Sequence, residues 1–327
     1  MRWVDRHFRA MGSGAHVVVL GGGEEHLDWA QQEAERLEGL WSRFRADSDV
    51  TRATRDAGMR PTRVAPETFA LVEQAIDAWR ATAGRFDPTV LHALEGAGYD
   101  ETFAAVRARP QSRTVVRSAP PGHAAIGVLV DDLLRGRNVP VPGCAGIVLD
   151  HNACTVSLPA GVGLDLGGIG KGAAADHLAE GLVARGASGA CVSMGGDVRA
   201  AGATPGDAPW PIPVEDPFDC DHDPARTLLT VPLANAAIVT STRLIHRWVH
   251  DGVARHHLID PATGHPADRG VAAVVVEAPS ARWAESLAKA ALIAGVTQGL
   301  HLLARHGVRG WLVDDEGRVT ETSGARR

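Results

Sequence analysis

Hydrophobic and polar positions follow two rhythms along this chain of 327 residues. The run "AHVVVLGG" at 15–22 is apolar, β-branched and closed by glycine, which predicts a strand. The period then lengthens, and Leu27, Ala30, Ala34, Leu37, Trp41 and Phe44 fall on one helical stripe. A loop holding Ser48 leads to a second helix from about Pro66 to Ala83, with Phe69, Val72, Ile76 and Trp79 on its apolar face. Proline suits the first turn of that helix and Gly84 stops it. Residues 100–125 read as a small helix and a polar connection. "IGVLVDDLLRGRNVPV", "AGIVLD" and "CTVSLP" are short apolar runs separated by Gly, Pro and Asn, the pattern of an antiparallel meander.

Beyond residue 160 the two rhythms alternate. A helix carries Ala175, Leu178, Ala179, Leu182 and Val183 and stops at Gly186; "GACVSMGGDV" is the next strand. Six prolines from Pro205 to Pro224 predict a surface loop over 200–226, around the short segment "WPIPVEDP". "AAIVTS", "HHLIDP" and "AAVVVEA" read as strands and "ARWAESLAKAALIAG" as a helix. A closing helix near 297–306 precedes a terminal hairpin in "RGWLVDDEGRV". No internal repeat or low-complexity linker divides the chain. Residues 1–327 therefore read as one α+β domain of mostly antiparallel sheets with packed helices.

Composition narrows the class. Hydrophobic content of 45% and charged content of 22% describe an ordinary globular protein. The net charge of −6, with no basic block, argues against nucleic acid or an anionic membrane as partner. Cys144, Cys154, Cys191 and Cys220 form no CxxC pair, so reduced buried thiols are expected rather than a zinc knuckle. The opening "MRWVDRHFRAMGSGAHVVVL" breaks its apolar character with Asp5, Arg6 and Arg9 and has no signal-peptide core. No run approaches the roughly 20 apolar residues of a membrane span. These features predict a cytoplasmic protein.

The chemistry concentrates in "GLDLGGIGKGAAADHLAEGL" at 163–182. A P-loop is excluded, because Asp165 stands where its first glycine belongs and Gly172 where its hydroxyl belongs. Gly168, Gly170 and Ala173 do fit a Rossmann fingerprint, with Asp197 loosely at the ribose position. That fingerprint sits among antiparallel signals, and it leaves a nicotinamide oxidoreductase as an outlying alternative. Small residues let backbone N–H groups approach an anion at a helix start, and Lys171 adds a charge there. The bland alternative is a tight turn with a solvated lysine. "GRFDPTV" offers Asp87 as a turn cap or a site residue, and "SMGGDVRAAG" sets Asp197 after a glycine pair. "VTSTRL" places two hydroxyls after an apolar strand, which is also a common helix cap. In "HHLIDPATGHP", an extended segment would put His257 and Ile259 on one face and Asp260 on the other, a poor triad. No G-x-S-x-G elbow supplies a serine.

Taken in order, these segments resemble the ApbE family of FAD:protein FMN transferases. "MGS" at 11–13 is similar to the family's opening M-G-T, "FRADSDV" to its S-x-[IV] segment and "GRFDPTV" to its G-x-F-D-P-T-V. "DLGGIGKGAAAD", "MGGDV", "VTST", "HHLIDPATGHP" and "AESLAKAALIAG" resemble its later motifs, so the likeness runs from about residue 8 to 313. The resemblance implies a single two-lobed, tunnelling-fold-like domain. It also implies attack by a Ser/Thr hydroxyl of an acceptor protein on the pyrophosphate of FAD, leaving FMN as a phosphoester and releasing AMP. Met11, Phe44, Phe86, Asp87, Asp165, Lys171, Thr240, Ser241, Ile259 and Asp260 are the implied FAD contacts, and His257 the implied general base. At Phe44 the family often has a tyrosine. The implied magnesium site comprises the Gly168 carbonyl, an Asp position held here by Glu285, and a Thr position held by Lys289.

Lys289 is the departure, since an ammonium has no lone pair to offer a metal. Three readings follow. Lys289 neutralises the pyrophosphate in place of magnesium; or it pairs with Glu285 and leaves an FAD-binding protein without transfer activity; or it swings to solvent and the metal binds through Gly168, Glu285 and water.

Overall fold

The strand rhythm resolves into an eight-stranded sheet in the computed structural model, which describes residues 2–109, 141–219 and 226–322. Its strands are β1 (Trp3–Ala10), β2 (Ser13–Leu20), β3 (Gly189–Met194), β4 (Asp197–Gly202), β5 (Ala237–Thr242), β6 (Val271–Ala278), β7 (Arg309–Asp314) and β8 (Val319–Glu321). Their order across the sheet is their order along the chain, and every pairing is antiparallel. Two hairpin turns are built alike. Met11–Gly12 has φ of 51° and 71°, and Gly195–Gly196 has φ of 62° and 92°. These are the left-handed pairs of two-residue turns that match strand twist. The glycine pair therefore divides "GACVSMGGDV" into two strands where the apolar pattern reads one. β1 has no apolar run, yet Val4, Arg6 and Phe8 are half-buried while Trp3, Asp5, His7 and Arg9 face solvent.

One face of the sheet carries the helices α1 (Glu24–Trp41), α2 (Asp49–Arg55), α3 (Pro66–Ala81), α4 (Gly170–Ala184), α5 (Ala281–Ala294) and α6 (Val296–Arg305). Leu27, Ala30, Ala34, Leu37 and Trp41 bury the stripe of α1, whereas Phe44 lies beyond its end and is 38% exposed. Ser48 caps α2 by accepting from the Thr51 N–H at 3.1 Å, so what reads as a loop is a helix start. The first N–H groups of α5 have no cap of their own. Asp176, on α4, accepts them instead, from Ala281 at 2.7 Å and Arg282 at 3.1 Å. The two helix starts are thereby locked together. A Cβ at Gly172 would lie 2.5 Å from the Ala281 carbonyl oxygen, so only glycine fits that approach.

The opposite face is covered by a hairpin of Trp210–Glu215 with Thr227–Leu233. Trp210–Glu215 lies inside the stretch whose prolines predict a surface loop. The correction has a simple cause: Pro211 and Pro213 point outward, alternating with half-buried Trp210 and Ile212 and with buried Val214. Beneath it Val198, Ala200, Ile238, Val275 and Trp311 form a second core. A third cluster joins Leu94, Trp248 and Ile259 where a ribbon of Arg247–His250 and Val253–His256 meets the short helices Leu91–Gly96 and Phe103–Ala108. Val148–Asp150 and Thr155–Ser157 pair antiparallel, as the meander pattern predicts, and Thr62–Arg63 joins them. Cys144 and Cys191 are buried free thiols and Cys154 is half-buried. No helix among the described residues is long and apolar enough to cross a membrane. The expected strand within 126–140, the connection beyond residue 109, and Cys220 lie outside the described residues.

Candidate active site

The start of α4 builds the site's floor. Lys171 donates to Asp197 and, at 3.1 Å, to Glu285 Oε1. Lys289, one helical turn after Glu285 on α5, donates to the same oxygen at 2.9 Å. Glu285 Oε2 accepts from the Gly172 N–H at 2.8 Å. Glu285 and Asp197 are fully buried, while the side chains of Lys171 and Lys289 keep exposures of 26% and 13%. Burial alone would push the Glu285 carboxyl up, but Lys171 and Lys289 together hold it down to about 2. Burial raises Asp197, with Lys171 opposing it, and the two carboxylates hold the Lys171 ammonium above its usual range.

The turn ahead of α4 spends its donors internally. Asp165 Oδ1 accepts from the Gly167 N–H at 2.7 Å, and Leu166 O accepts from Gly170 at 2.7 Å. With Gly172 given to Glu285, the N–H groups of Gly167, Gly170 and Gly172 satisfy the protein's own acceptors and are closed to an outside phosphate. The Lys171 and Lys289 side chains beside the turn keep partial exposure. A Cβ at Gly168 would come within 3.1 Å of the Phe86 ring and 3.4 Å of Lys289 Cδ, which places the lysine stem against this turn and that ring.

Neighbouring turns close on the floor. The Asp165 N–H donates to Pro88 O at 2.8 Å, tying the "RFDPTV" loop to the glycine turn. Asp87 Oδ1 accepts from the Thr89 N–H at 2.8 Å and its hydroxyl at 2.6 Å, so Asp87 shapes its own loop. Burial raises the Asp87 carboxyl despite the Thr89 bonds. On the other side, a Cβ at Gly195 would meet Ser13 Oγ at 2.7 Å and Lys171 Cδ at 3.3 Å. The Met11 turn therefore lies beside Lys171, and Glu38 fixes it by accepting from the Met11 N–H at 2.8 Å.

Aromatic rings form a wall. The Arg43 guanidinium lies 4.2 Å from the Phe44 ring centre and 4.6 Å from that of Tyr99, and pairs with Asp165 at 3.1 Å. From Tyr99 the rings continue through Phe103, at 6.3 Å, to His246, at 4.5 Å, and then to His257, at 5.0 Å. Burial lowers both histidines. Lys171 and Lys289 lower them further, so the histidines feel the ammonium pair on the floor.

The sequence-predicted residues divide accordingly. Met11, Phe86, Asp87, Asp165, Lys171, Glu285 and Lys289 are joined by the contacts just described, with Gly168 among them; Phe44 and His257 stand at either end of the aromatic wall. Ser241 is buried with no partner for Oγ among the described residues. Strand alternation puts Ser241 with Val239 on the helix side but Thr240 with Ile238 on the hairpin side, so the two hydroxyls do not share a rim. Ile259 packs its side chain into the third core. Asp260 closes its own turn, accepting from the Ala262 N–H at 3.0 Å and from Arg269 at 3.2 Å. The strand expected through "HHLIDP" bends at His257, because Leu258 N–H donates to His256 Nδ1 at 3.3 Å. His256 is structural, with Nε2 at 2.9 Å from Ala267 O, and burial holds its pKa at about 4. Sequence reasoning missed Arg43, Tyr99 and His246, and it left Asp197 outside the site. Only Asp197 carried a signal, an acid directly after a glycine pair.

The donor set does not fit magnesium. A hard cation needs free oxygen lone pairs and repels ammonium. Here Glu285 Oε1 accepts from two ammonium groups and Oε2 from a backbone N–H. Around the implied metal pair Gly168 and Glu285 lies an ion network of Lys171, Lys289, Asp197 and Glu285. Lys289 does not swing to solvent.

A floor that presents two ammonium groups beside an aromatic wall suits an aromatic group that carries phosphate, and an antiparallel sheet with helices on one face supports both. That combination defines an α+β protein in which paired lysines at a helix start lie near a chain of aromatic rings. The chain belongs to the ApbE family, whose sequence profile matches residues 11–312. It is 29% identical over 301 residues to a FAD:protein FMN transferase of Treponema pallidum, covering 89% of this chain and 77% of the relative. A transferase of the same name from Vibrio cholerae is 27% identical over 266 residues, covering 81% and 72%. The crystal structure of the Thermotoga maritima ApbE protein superposes with a TM-score of 0.80 at 26% identity, covering 98% of this chain and 97% of that one. The flavin transferase ApbE of Vibrio cholerae shares the fold, with a TM-score of 0.75 at 23% identity over 98% of this chain and 97% of that one.

Proposed function

We propose that this protein is a FAD:protein FMN transferase acting on a Thr or Ser of an acceptor protein, with FAD as the group donor. The observation that carries the reading is the pair of ammonium groups, Lys171 and Lys289, held on Glu285 at the glycine-rich turn of an ApbE-family chain. The diphosphate takes its place over the two ammonium groups, and the flavin lies along the aromatic wall between Phe44 and His257. Asp165 fixes Arg43 by the ion pair, and Arg43 in turn holds the Phe44 and Tyr99 rings.

His257 is the general base. Its depressed basicity keeps the imidazole neutral at physiological pH, so a ring nitrogen is free to accept the acceptor's hydroxyl proton. The diphosphate's negative charge offsets the lysines and raises the imidazole's basicity once substrate is bound. Oxygen of the acceptor hydroxyl bonds to the flavin-side phosphorus, the bridging P–O bond breaks, and its electron pair leaves with AMP.

The test is direct. Purified protein mixed with FAD and a flavin-accepting domain should leave a fluorescent acceptor band on a denaturing gel. His257→Asn should abolish the band while FAD still binds. Tight FAD binding with no band under any ionic condition would favour the second reading, a flavin-binding protein without transfer, which the Lys289–Glu285 pair supports.

A further inference from the structure

Counting charges on the floor gives two ammonium groups, Lys171 and Lys289, against two buried carboxylates, Asp197 and Glu285. The set is neutral as it stands. Without Lys289 it would hold one unmatched negative charge, which is the condition that calls for a bound cation. We propose that Lys289 is this protein's own replacement for a divalent cation: its ammonium and that of Lys171 meet the substrate's diphosphate, and Glu285 takes up no magnesium. The chemistry of this step rests on the flavin-transferase reading, but the metal test below does not.

Three further observations support the assignment. Glu285 Oε1 already accepts from two ammonium groups, and Oε2 accepts from the Gly172 N–H, so a metal at Glu285 would sit beside both cations. The N–H groups of Gly167, Gly170 and Gly172 are consumed by Asp165, Leu166 and Glu285, so these three donors leave their share of the diphosphate charge to the lysines. The Lys289 stem lies against Gly168 and close to Phe86, which holds the ammonium at the turn. In the transfer step the lysines do not exchange protons. The hydroxyl proton passes to His257, the new P–O bond forms as the bridging one breaks, and the charge that grows on the departing AMP phosphate is met by the ammonium pair.

Two measurements decide it, on wild type, Lys289→Thr and the double variant Glu285→Gln/Lys289→Thr. The first omits FAD and titrates Mn2+ by electron paramagnetic resonance. Manganese is the probe because zinc would favour the surface trio Asp5, His7 and His16, whose ligand atoms lie within 4.8 Å of one another. Wild type should bind no more Mn2+ than the double variant, and Lys289→Thr should gain one site. The second compares transfer rates in EDTA and in excess Mg2+. Wild type should change by less than about two-fold, while Lys289→Thr should fall by about 100-fold in EDTA and recover with Mg2+. Extra Mn2+ bound by wild type relative to the double variant, or wild-type transfer lost in EDTA and restored by Mg2+, overturns the proposal. So does a silent wild type beside an active, Mg2+-loaded Lys289→Thr, since Lys289 would then block rather than replace. Should FAD not bind at all, the transferase reading fails, and the Mn2+ titration still rules on Lys289. If Lys289→Thr does not fold, the EDTA comparison on wild type decides alone.

Discussion

Replacing Glu285 by Gln removes one charge while keeping the shape, and the structure fixes what that should cost. Glu285 accepts on both oxygens, from two ammonium groups on one and from the Gly172 N–H on the other. An amide has only one acceptor oxygen, so its NH2 must face a donor whichever way it turns. The wild-type carboxyl is held at about 2 against an ordinary 4.5. At about 1.4 kcal/mol per unit, that is about 3–4 kcal/mol of stability at neutral pH. It agrees with the 3–5 kcal/mol typical of breaking a buried pair. The sign follows from the depressed value. The contribution is complete above about pH 4.5 and is lost as pH falls towards 2. Urea unfolding followed by tryptophan fluorescence should show Glu285→Gln less stable by about 3–4 kcal/mol at pH 7, and by less than about half that at pH 3. A loss below about 1 kcal/mol at pH 7, or one of equal size at both pH values, would refute the ion network.

His257→Asn should lower the transfer rate by about 100- to 10,000-fold with FAD affinity within a few-fold of wild type, and parallel loss of both would demote His257 to a binding residue. Because burial and the nearby cations depress that imidazole, kcat/KM for FAD should stay level from pH 8 down to pH 6; a midpoint near 6.5 would contradict the site's electrostatics. Gly172→Ala drives a methyl into the Ala281 carbonyl, and should cost about 1–3 kcal/mol in urea unfolding; a neutral result would mean the helix starts are not in contact. Asp176→Ala strips two N–H acceptors from α5 and a buried partner from Arg199, so its melting temperature should fall by several degrees, more than that of an exposed control such as Asp77→Ala.

The helices and central strands were legible because each buries one face, and a single face leaves a period in the sequence. Leu27 to Trp41 is a case where the stripe alone draws the helix. β1 was not legible, since an edge strand with Asp5, Arg6 and Arg9 lacks a continuous apolar run. α2 has seven residues and three buried ones, too few to set a rhythm, and only its Ser48 cap marked the start. The Pro211 and Pro213 strand misleads for a different reason. Proline breaks a ladder only where its N–H is needed, and pattern alone does not say which side of a strand is free.

At the site, residue identity was legible and satisfaction was not. The spacing of Glu285 and Lys289 puts them one turn apart on a helix, but it says nothing of Lys171 approaching the same oxygen from α4. The glycine-rich turn likewise suggests free N–H groups, and those of Gly167, Gly170 and Gly172 turn out to be satisfied by Asp165, Leu166 and Glu285. Whether a helix start can bind an outside anion depends on whether an internal carboxylate already occupies it. Here one does, and the consequence is a transfer of roles. Backbone dipoles neutralise the buried acids, the acids hold two lysines in place, and the lysines carry the positive charge that the ligand meets. A sequence with the same glycines but Thr at position 289 would leave Glu285 with one ammonium fewer and an open side, and the same turn would then serve a metal.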